Sequence, residues 1–350
     1  MEKKKISIIG AASISAAFII KFIARHSGAE FAHVCSSSQA GKMVHEYHTF
    51  LKGIVDVEYE KYDFDTVIND SDIIFITAQH GVHLDETARI VKAAKEKGAK
   101  VIDLSADYRL KDASLYDKWY NVSHGHSDLL VDAVYGLTEL NAHNIKDAQL
   151  LANPGCYPTC ALLSLAPIVQ EELTDGNIVI NALSGVSGAG IRPSATNTAM
   201  KVCDNIFPYK VGGVHPHTAE IEQGINAYNP CSAEAPIGVT FVPHVAPFKY
   251  GIIETIYAHL AKDISESAIY DIYKKFYANS RFVNILEPGY LPEVKDVVGT
   301  NFVNIGFKID PRTNTLIVIG CIDNVIKGAA GQAVQNMNIM CGFDEAEGLL

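Results

Sequence analysis

Residues 152–159 read ANPGCYPT, and the chain changes character there. Residues 149–152 look like the end of a short apolar strand. Asn153, Pro154 and Gly155 then force a turn, and Pro158 suits the first turn of a helix continuing through CALLSLAPIVQEEL. Cys156 therefore falls where a loop feeds a helix N-terminus. Unpaired backbone N–H groups and the positive end of the macrodipole favour a thiolate at such a place. The other use of a cysteine is as a small buried hydrophobe. Cys160, one helical turn on among Ala161, Leu162 and Leu163, reads as that, and Cys156 reads as a candidate nucleophile.

Before this stretch, strand and helix patterns alternate. KISIIG at 5–10 is a strand ending in glycine, followed by AASISAAFIIKFIARH with apolar residues at helical spacing. Strands follow at 30–35, 72–77 and 100–104, with an amphipathic helix over 82–97. That order predicts a doubly wound parallel sheet of the Rossmann α/β type. After Cys156, strands succeed strands, at 177–183, 237–242, 252–259, 302–309 and 315–322, with helical patterns near 219–227 and 265–278. This half reads as α+β with a largely antiparallel or mixed sheet, beginning at about Cys156. A glycine-opened helix from Lys327 closes the sequence.

The 350 residues suit two domains of ordinary size, and 48% apolar content supplies ample core. A net charge of −11, with no long run of Lys and Arg, argues against nucleic acid or an anionic membrane as partner. No apolar stretch approaches the roughly twenty residues of a membrane span. The start MEKKK runs straight into a strand pattern, so the cytoplasm is the expected location. The seven cysteines are scattered without a C-x-x-C pair, the usage of reduced intracellular thiols, and no metal site is expected.

The first strand-to-helix turn carries the cofactor question. Dinucleotide folds place glycines there so that backbone can approach a pyrophosphate at the helix N-terminus. Here the G-x-x-G-x-x-G positions fall on Gly10, Ser13 and Ala16. Ala16 is tolerable where helix packs on strand. Ser13 brings a Cβ toward the phosphate, and its hydroxyl has two uses, capping the helix or bonding the phosphate. The second strand ends in CSSSQAGK at 35–42, with no acid for a ribose 2′-hydroxyl, which leans away from NAD. Ser36, Ser37 and Ser38 with Lys42 suit either a 2′-phosphate or a plain polar loop.

Six collinear blocks now identify a resemblance. ANPGCYPT at 152–159, DLSADYRLKD at 103–112, YGLTEL at 135–140, SGVSGAG at 184–190, HPHTAEIEQ at 215–223 and KGAAGQAVQNMN at 327–338 resemble the N-acetyl-γ-glutamyl-phosphate reductases, NADP-dependent semialdehyde dehydrogenases of arginine biosynthesis. The resemblance implies a Rossmann domain from residues 1–155 and 327–350, and a catalytic and dimerisation domain like that of glyceraldehyde-3-phosphate dehydrogenase from residues 156–326. It implies NADPH as cofactor, a small acyl phosphate as substrate, and a homodimer or homotetramer. It makes Cys156 the nucleophile that forms a thioester, with His217, and His215 close behind, as the acid/base. If the backbone of the H-x-H element is extended, its two rings point the same way. Arg109, Arg192, Ser187 and Glu220 are expected at the substrate. Gly10, Ser13, Ala16, Ser36, Ser38, His80, Gly81, Gly188, Asn324 and Gln332 are expected along the cofactor.

The departures from the family pattern concentrate on the cofactor. The glycine turn usual as GATGYTG is GAASISA, and no arginine lies near Ser37. Gln79 replaces a usual proline before His80, Pro216 replaces the arginine of HRH, Ile191 displaces the arginine of SGAGR to Arg192, and Lys249 stands beside a missing arginine near Tyr250. Two further readings follow: a reductase of another acyl phosphate, of aspartyl or aminoadipyl type, or a non-catalytic paralogue with impaired cofactor binding.

Overall fold

The β-branched run at the start becomes β1 (Lys4–Ile9), and the other strands of its sheet are β2 (Ala29–Cys35), β3 (Ile73–Ile76), β4 (Lys100–Asp103), β5 (Val134–Tyr135) and β6 (Leu150–Ala152). In the computed structural model, described here for residues 2–78, 80–81, 83–174, 176–190 and 198–350, these six lie in the order β2-β1-β3-β4-β6-β5. All the pairings are parallel. Every residue of β3 is buried, as a strand covered on both faces requires. The order reverses between β1 and β3, so the carboxyl ends of these two strands flank the topological switch point where doubly wound sheets hold ligands.

Seven helices carry the argument: α1 (Ile14–Ile23), α2 (Leu84–Lys97), α3 (Thr138–Asp147), α4 (Cys156–Gln170), α5 (His217–Asn226), α6 (Glu266–Phe276) and α7 (Gly331–Cys341). Met1–Pro154 together with Ala329–Leu350 makes one unit, and Gly155–Gly328 a second. In the first, α7 packs on α1 and α3 through a buried polar seam. Asn336 Nδ2 donates to Gly136 O at 2.7 Å and to Asn153 Oδ1 at 3.0 Å, and Asn338 Oδ1 lies 2.9 Å from His26 Nε2. These bonds satisfy polar groups that apolar packing alone would strand.

The second unit is built on β7 (Ile178–Ser184), β8 (Phe207–Pro208), β9 (Val239–Val245), β10 (Ile252–His259), β11 (Val283–Ile285), β12 (Val303–Asp310) and β13 (Thr315–Ile322), in the order β11-β12-β13-β10-β7-β9-β8. The sheet is mixed: β7 with β9 and β11 with β12 are parallel, the remaining pairs antiparallel. Helix α4 lies on β10 and β13, between α5 and α6. Pro167 inside α4 has no N–H for the carbonyl of Leu163, and the Tyr277 hydroxyl of the segment after α6 donates to that carbonyl at 2.6 Å. Gly320 of β13 lets the helix come close, since a Cβ there would stand 2.5 Å from Ser164 Oγ and 2.8 Å from Cys160 Sγ. The opposite face of the sheet presents Val179, Leu183, Ile253, Ile317 and Ile319, half-exposed and largely apolar. No helix among the described residues is long and apolar enough to cross a membrane.

Candidate active site

Cys156 is the first residue of α4, and Gly155, with φ −70° and ψ 156°, is its N-cap. The position is half-buried, whereas Cys160 one turn deeper is fully buried. The thiol-bearing residue is crowded from one side by Gly328, where an added Cβ would lie 2.6 Å from Cys156 Cβ and 3.1 Å from its Cα. Only glycine permits that approach. The loop behind Gly328 is held by Asp323, whose Oδ1 accepts from Val325 N at 2.8 Å and Ile326 N at 3.0 Å, and whose Oδ2 accepts from Gly299 N at 2.9 Å. Gly328 N donates to Asp323 O at 2.9 Å.

The two histidines are not on an extended segment. Pro216, at φ −58° and ψ −29°, is the helical N-cap of α5, and His217 is that helix's first residue. The turn sets the rings 4.8 Å apart, tilted 67°. His217 N donates to His215 Nδ1 at 3.1 Å, so His215 caps the helix with a lone pair and carries its proton on Nε2. His215 sits in a cage of Tyr157, Tyr209 and Phe241 at 5.9, 5.5 and 5.3 Å. Burial, aided by His217 and Lys210 against Glu220, pushes its pKa down to about 2. A histidine so placed stays neutral through the working range, whereas His217 beside it is half-buried. The ring of Tyr157, next to Cys156, lies 5.8 Å from that of His217, and Tyr209 Oη donates to Tyr157 Oη at 3.1 Å.

Glu220, expected at the substrate, is fully buried, and its Oε1 accepts from Gly155 N at 2.8 Å. Its carboxylate is turned into the protein. Ser187 and Gly188 lie in the short turn Val186–Ala189 after β7. Asn324 Nδ2 donates to Ser187 Oγ at 2.9 Å, and Asn324 Oδ1 accepts from Gly251 N at 2.6 Å. A Cβ on Gly188 would come 3.2 Å from Ser184 Oγ, which leaves a narrow backbone shelf there. Lys249 is exposed and stacks over Tyr250 at 4.9 Å. Arg192 lies outside the described residues.

In the first unit, Gly10 closes β1 at φ +82°, and a Cβ there would meet Thr77 Oγ1 at 3.0 Å and the Thr77 carbonyl carbon at 3.2 Å. Thr77 Oγ1 donates to the carbonyls of Gly10 at 2.8 Å and Ile9 at 3.0 Å, fastening the ends of β1 and β3 together at the switch point. Ser13 is the N-cap of α1, its Oγ accepting from Ala16 N at 3.1 Å, so of its two uses the hydroxyl takes the capping one. Ala16 is fully buried. The glycine cradle, capped helix start and small buried residue fit the diphosphate of a dinucleotide. Ser38 is exposed beyond β2 while Ser36 is buried, so Ser38 is the one of the pair open to a ligand. Gln332 is fully buried, with Nε2 donating to Thr138 Oγ1 at 3.0 Å inside the seam between α3 and α7.

The segment after β4 organises the carboxyl edge of the parallel sheet. Arg109, buried, donates from Nε to Asn153 O at 2.8 Å and from Nη2 to Leu104 O at 3.2 Å. Asp107 Oδ1 accepts from Gly81 N at 2.8 Å, fixing the loop that carries exposed His80, whose ring is 5.3 Å from Tyr120. Asp103, fully buried, accepts from Ser105 N and Oγ at 3.1 and 2.7 Å. Burial and the neighbouring Asp107 push its pKa up to about 7, against the pull of Ser105 and Arg109. Sequence reasoning passed over Tyr157, Tyr209, Thr77 and Asp107, although Tyr157 and Asp107 stand inside blocks it had singled out. Among the described residues, no cluster of His, Cys, Asp and Glu has the makings of a metal site.

Comparison with known proteins places this geometry. Residues 5–148 match the semialdehyde dehydrogenase NAD binding domain and residues 156–324 the semialdehyde dehydrogenase dimerisation domain. N-acetyl-γ-glutamyl-phosphate reductase of Pelotomaculum thermopropionicum is 43% identical over 346 residues, covering 99% of this chain and 97% of its own. The reductase of Methanocaldococcus jannaschii is 43% identical over 355 residues, covering 99% and 98%. Among solved structures, aspartate semialdehyde dehydrogenase II of Vibrio cholerae superposes with a TM-score of 0.73 at 18% identity, covering 97% of this chain and 99% of that one. The Candida albicans aspartate semialdehyde dehydrogenase solved with NADP has a TM-score of 0.69 at 16% identity, covering 97% and 99%. The fold is that of the semialdehyde dehydrogenases, and the chain belongs to the N-acetyl-γ-glutamyl-phosphate reductase family.

Proposed function

We propose that this chain converts N-acetyl-L-glutamyl 5-phosphate to the 5-semialdehyde and phosphate, with Cys156 as nucleophile and His217 as acid/base. The observation that carries the assignment of roles is the pairing of helix starts: α4 begins at Cys156, α5 begins at His217, and His215 is committed to capping α5. The Cys156 thiolate attacks the acyl carbon, the carbon–oxygen bond to phosphate breaks, and a thioester remains. When bound, NADPH supplies the hydride that reduces this thioester. His217 gives its proton to the oxygen of the resulting hemithioacetal. It then takes the hydroxyl proton back as the C–S bond breaks, releasing the aldehyde and restoring the Cys156 thiolate.

We assign Arg109 the role of phosphate ligand by its resemblance to the family position, with Arg192 as a further cation. Ser187 serves the substrate from the turn after β7. Gly10, Ser13 and Ala16 hold the diphosphate, Ser38 with Lys42 the 2′-phosphate, and Gly81, Gly188 and Asn324 the nicotinamide side. Residues 1–155 with 327–350 form the cofactor domain and residues 156–326 the catalytic one. The apolar open face of the mixed sheet supports assembly into a homodimer or homotetramer through that face. We assign the chain to the cytoplasm.

The test is the proposed reaction run in reverse, with N-acetylglutamate, aspartate and aminoadipate-type semialdehydes presented side by side with phosphate and NADP. Turnover with the N-acetylglutamate semialdehyde that disappears in Cys156→Ser supports the assignment. Faster turnover with another semialdehyde refutes the substrate, and turnover by Cys156→Ser refutes the nucleophile.

A further inference from the structure

We propose that Glu220 is a positioning residue that joins the nucleophile to its base: its buried carboxylate on the Gly155 N–H fixes the start of α4 against the start of α5 and makes ionisation of Cys156 depend on His217. The proposal rests on the reading of Cys156 as nucleophile and His217 as base.

A helix start ordinarily offers a thiolate free N–H groups and about half a positive charge. At α4 the N–H of the N-cap Gly155 is taken by Glu220 Oε1 at 2.8 Å. A fully buried acidic side chain thus stands beside the half-positive terminus. The macrodipole is offset there, and the thiolate needs another positive charge. The groups that face this place are Cys156 and Tyr157 of α4, His215 and His217 at the head of α5, and Tyr209 and exposed Lys210 before it. The phenols of Tyr157 and Tyr209 are pushed up by burial, and His215 is held neutral as a cap. His217 is the group that can take the Cys156 proton and stay beside it as imidazolium, a transfer that leaves the net charge unchanged. Glu220 stands three residues beyond His217 on the same helix, so one bond to Gly155 sets both the distance between the reactive groups and the electrostatic price of separating their protonation.

The alternative role, a ligand for the substrate, calls for an exposed carboxylate, and this one is 0% exposed.

The experiment follows the rate of Cys156 alkylation by iodoacetamide against pH, read by peptide mass spectrometry, in the wild type, Glu220→Gln, His217→Gln and the double variant. Glutamine keeps an oxygen acceptor for Gly155 and removes the charge. In the wild-type background, His217→Gln is expected to slow alkylation at neutral pH tenfold or more. Glu220→Gln is expected to move the alkylation midpoint about one pH unit or more toward acid, and in that background His217→Gln costs threefold or less. The KM for the semialdehyde stays within about twofold in Glu220→Gln. Glu220→Asp keeps the charge, so its midpoint stays at the wild-type pH while kcat falls. A wild-type alkylation profile in Glu220→Gln accompanied by a raised KM overturns the proposal in favour of a substrate ligand. Alkylation indifferent to His217→Gln in the wild-type background overturns the base assignment, and the proposal with it.

Discussion

The contact between Gly328 and Cys156 sets a quantitative test of how tightly Cys156 is held. In Gly328→Ala the new methyl would stand 2.6 Å from Cys156 Cβ and 3.1 Å from its Cα. Carbon atoms rest at about 3.5–4.0 Å, so about 1 Å of movement is required. The Gly328 side resists, because its N–H is bound to Asp323 O and the Asp323 carboxylate is held by three further N–H groups. The first turn of α4 must therefore give way. Overpacking of this kind costs about 1–3 kcal/mol of stability, a fall of several degrees in Tm for a unit of this size. Displacing a reacting group by about 1 Å costs on the order of 100-fold in rate. The assay is the reverse reaction followed by NADPH absorbance, with Gly125→Ala, which adds its methyl to open space, as the neutral control. A kcat for Gly328→Ala within twofold of wild type would refute the rigid-loop argument, whatever the melting curve shows.

Cys156 is expected to react with iodoacetamide before Cys203 and Cys231, the two exposed competitors, because burial pushes the thiols of Cys35 and Cys321 up to about 12 and that of Cys341 up to about 11. Peptide mapping that finds Cys203 labelled first would count against an activated nucleophile. Glu254, fully buried against Cys160, has its pKa raised well above the ordinary carboxyl value by burial. The folded state then holds this proton more tightly than the unfolded one, so this group's contribution to stability is full below about pH 4.5 and is lost as pH rises toward its folded-state value. Glu254→Gln is expected to flatten that decline and raise Tm at pH 8, and a lower Tm at pH 8 would contradict the assignment. Ser13→Gly removes a Cβ at the diphosphate turn at a cost of a few tenths of a kcal/mol in capping, and should tighten NADPH binding in a fluorescence titration. Weaker binding would mean that the helix start depends on the serine cap to receive phosphate.

The fold was legible wherever side-chain pattern and secondary structure share a period. β10 and β13 follow the expected strands, and β1, β2, β7 and β12 differ by a residue or so at their ends, because β-branched runs bounded by glycine or charge leave few registers. β5 and β8, two residues each, and β11, of three, leave no pattern to read and exist because a neighbouring strand end accepts them. At the site, the place of Cys156 at a helix start could be read because the constraint is local: glycine before it, proline after it, helix beyond. For the H-x-H element the alternation of two left the backbone open, and Pro216 decides it by starting a helix. Glu220, Gln332 and Gly328 depend on long-range contacts, with residues 155, 138 and 156 respectively, that no local signal encodes.

The altered glycine turn then has a physical explanation that does not require a lost cofactor site. Its first glycine survives at the one position where both a positive φ and the closeness of Thr77 exclude a Cβ. Its third position, in the first turn of α1 itself, needs only a side chain small enough to be buried there, and alanine meets that need. At the second, serine takes over an orphan N–H of the helix start as a cap, leaving the others to a phosphate. The positions that geometry forbids to change are the unchanged ones. The same logic holds in the second unit, where Gly155 and Gly328 frame Cys156, and Asp323 and Glu220 clamp the frame from opposite ends of the chain segment. A chain released from catalysis needs the fold but has no use for a clamped thiol at a helix start beside a capped histidine turn. These clamps are what the reductase reading explains and the non-catalytic reading leaves without a cause.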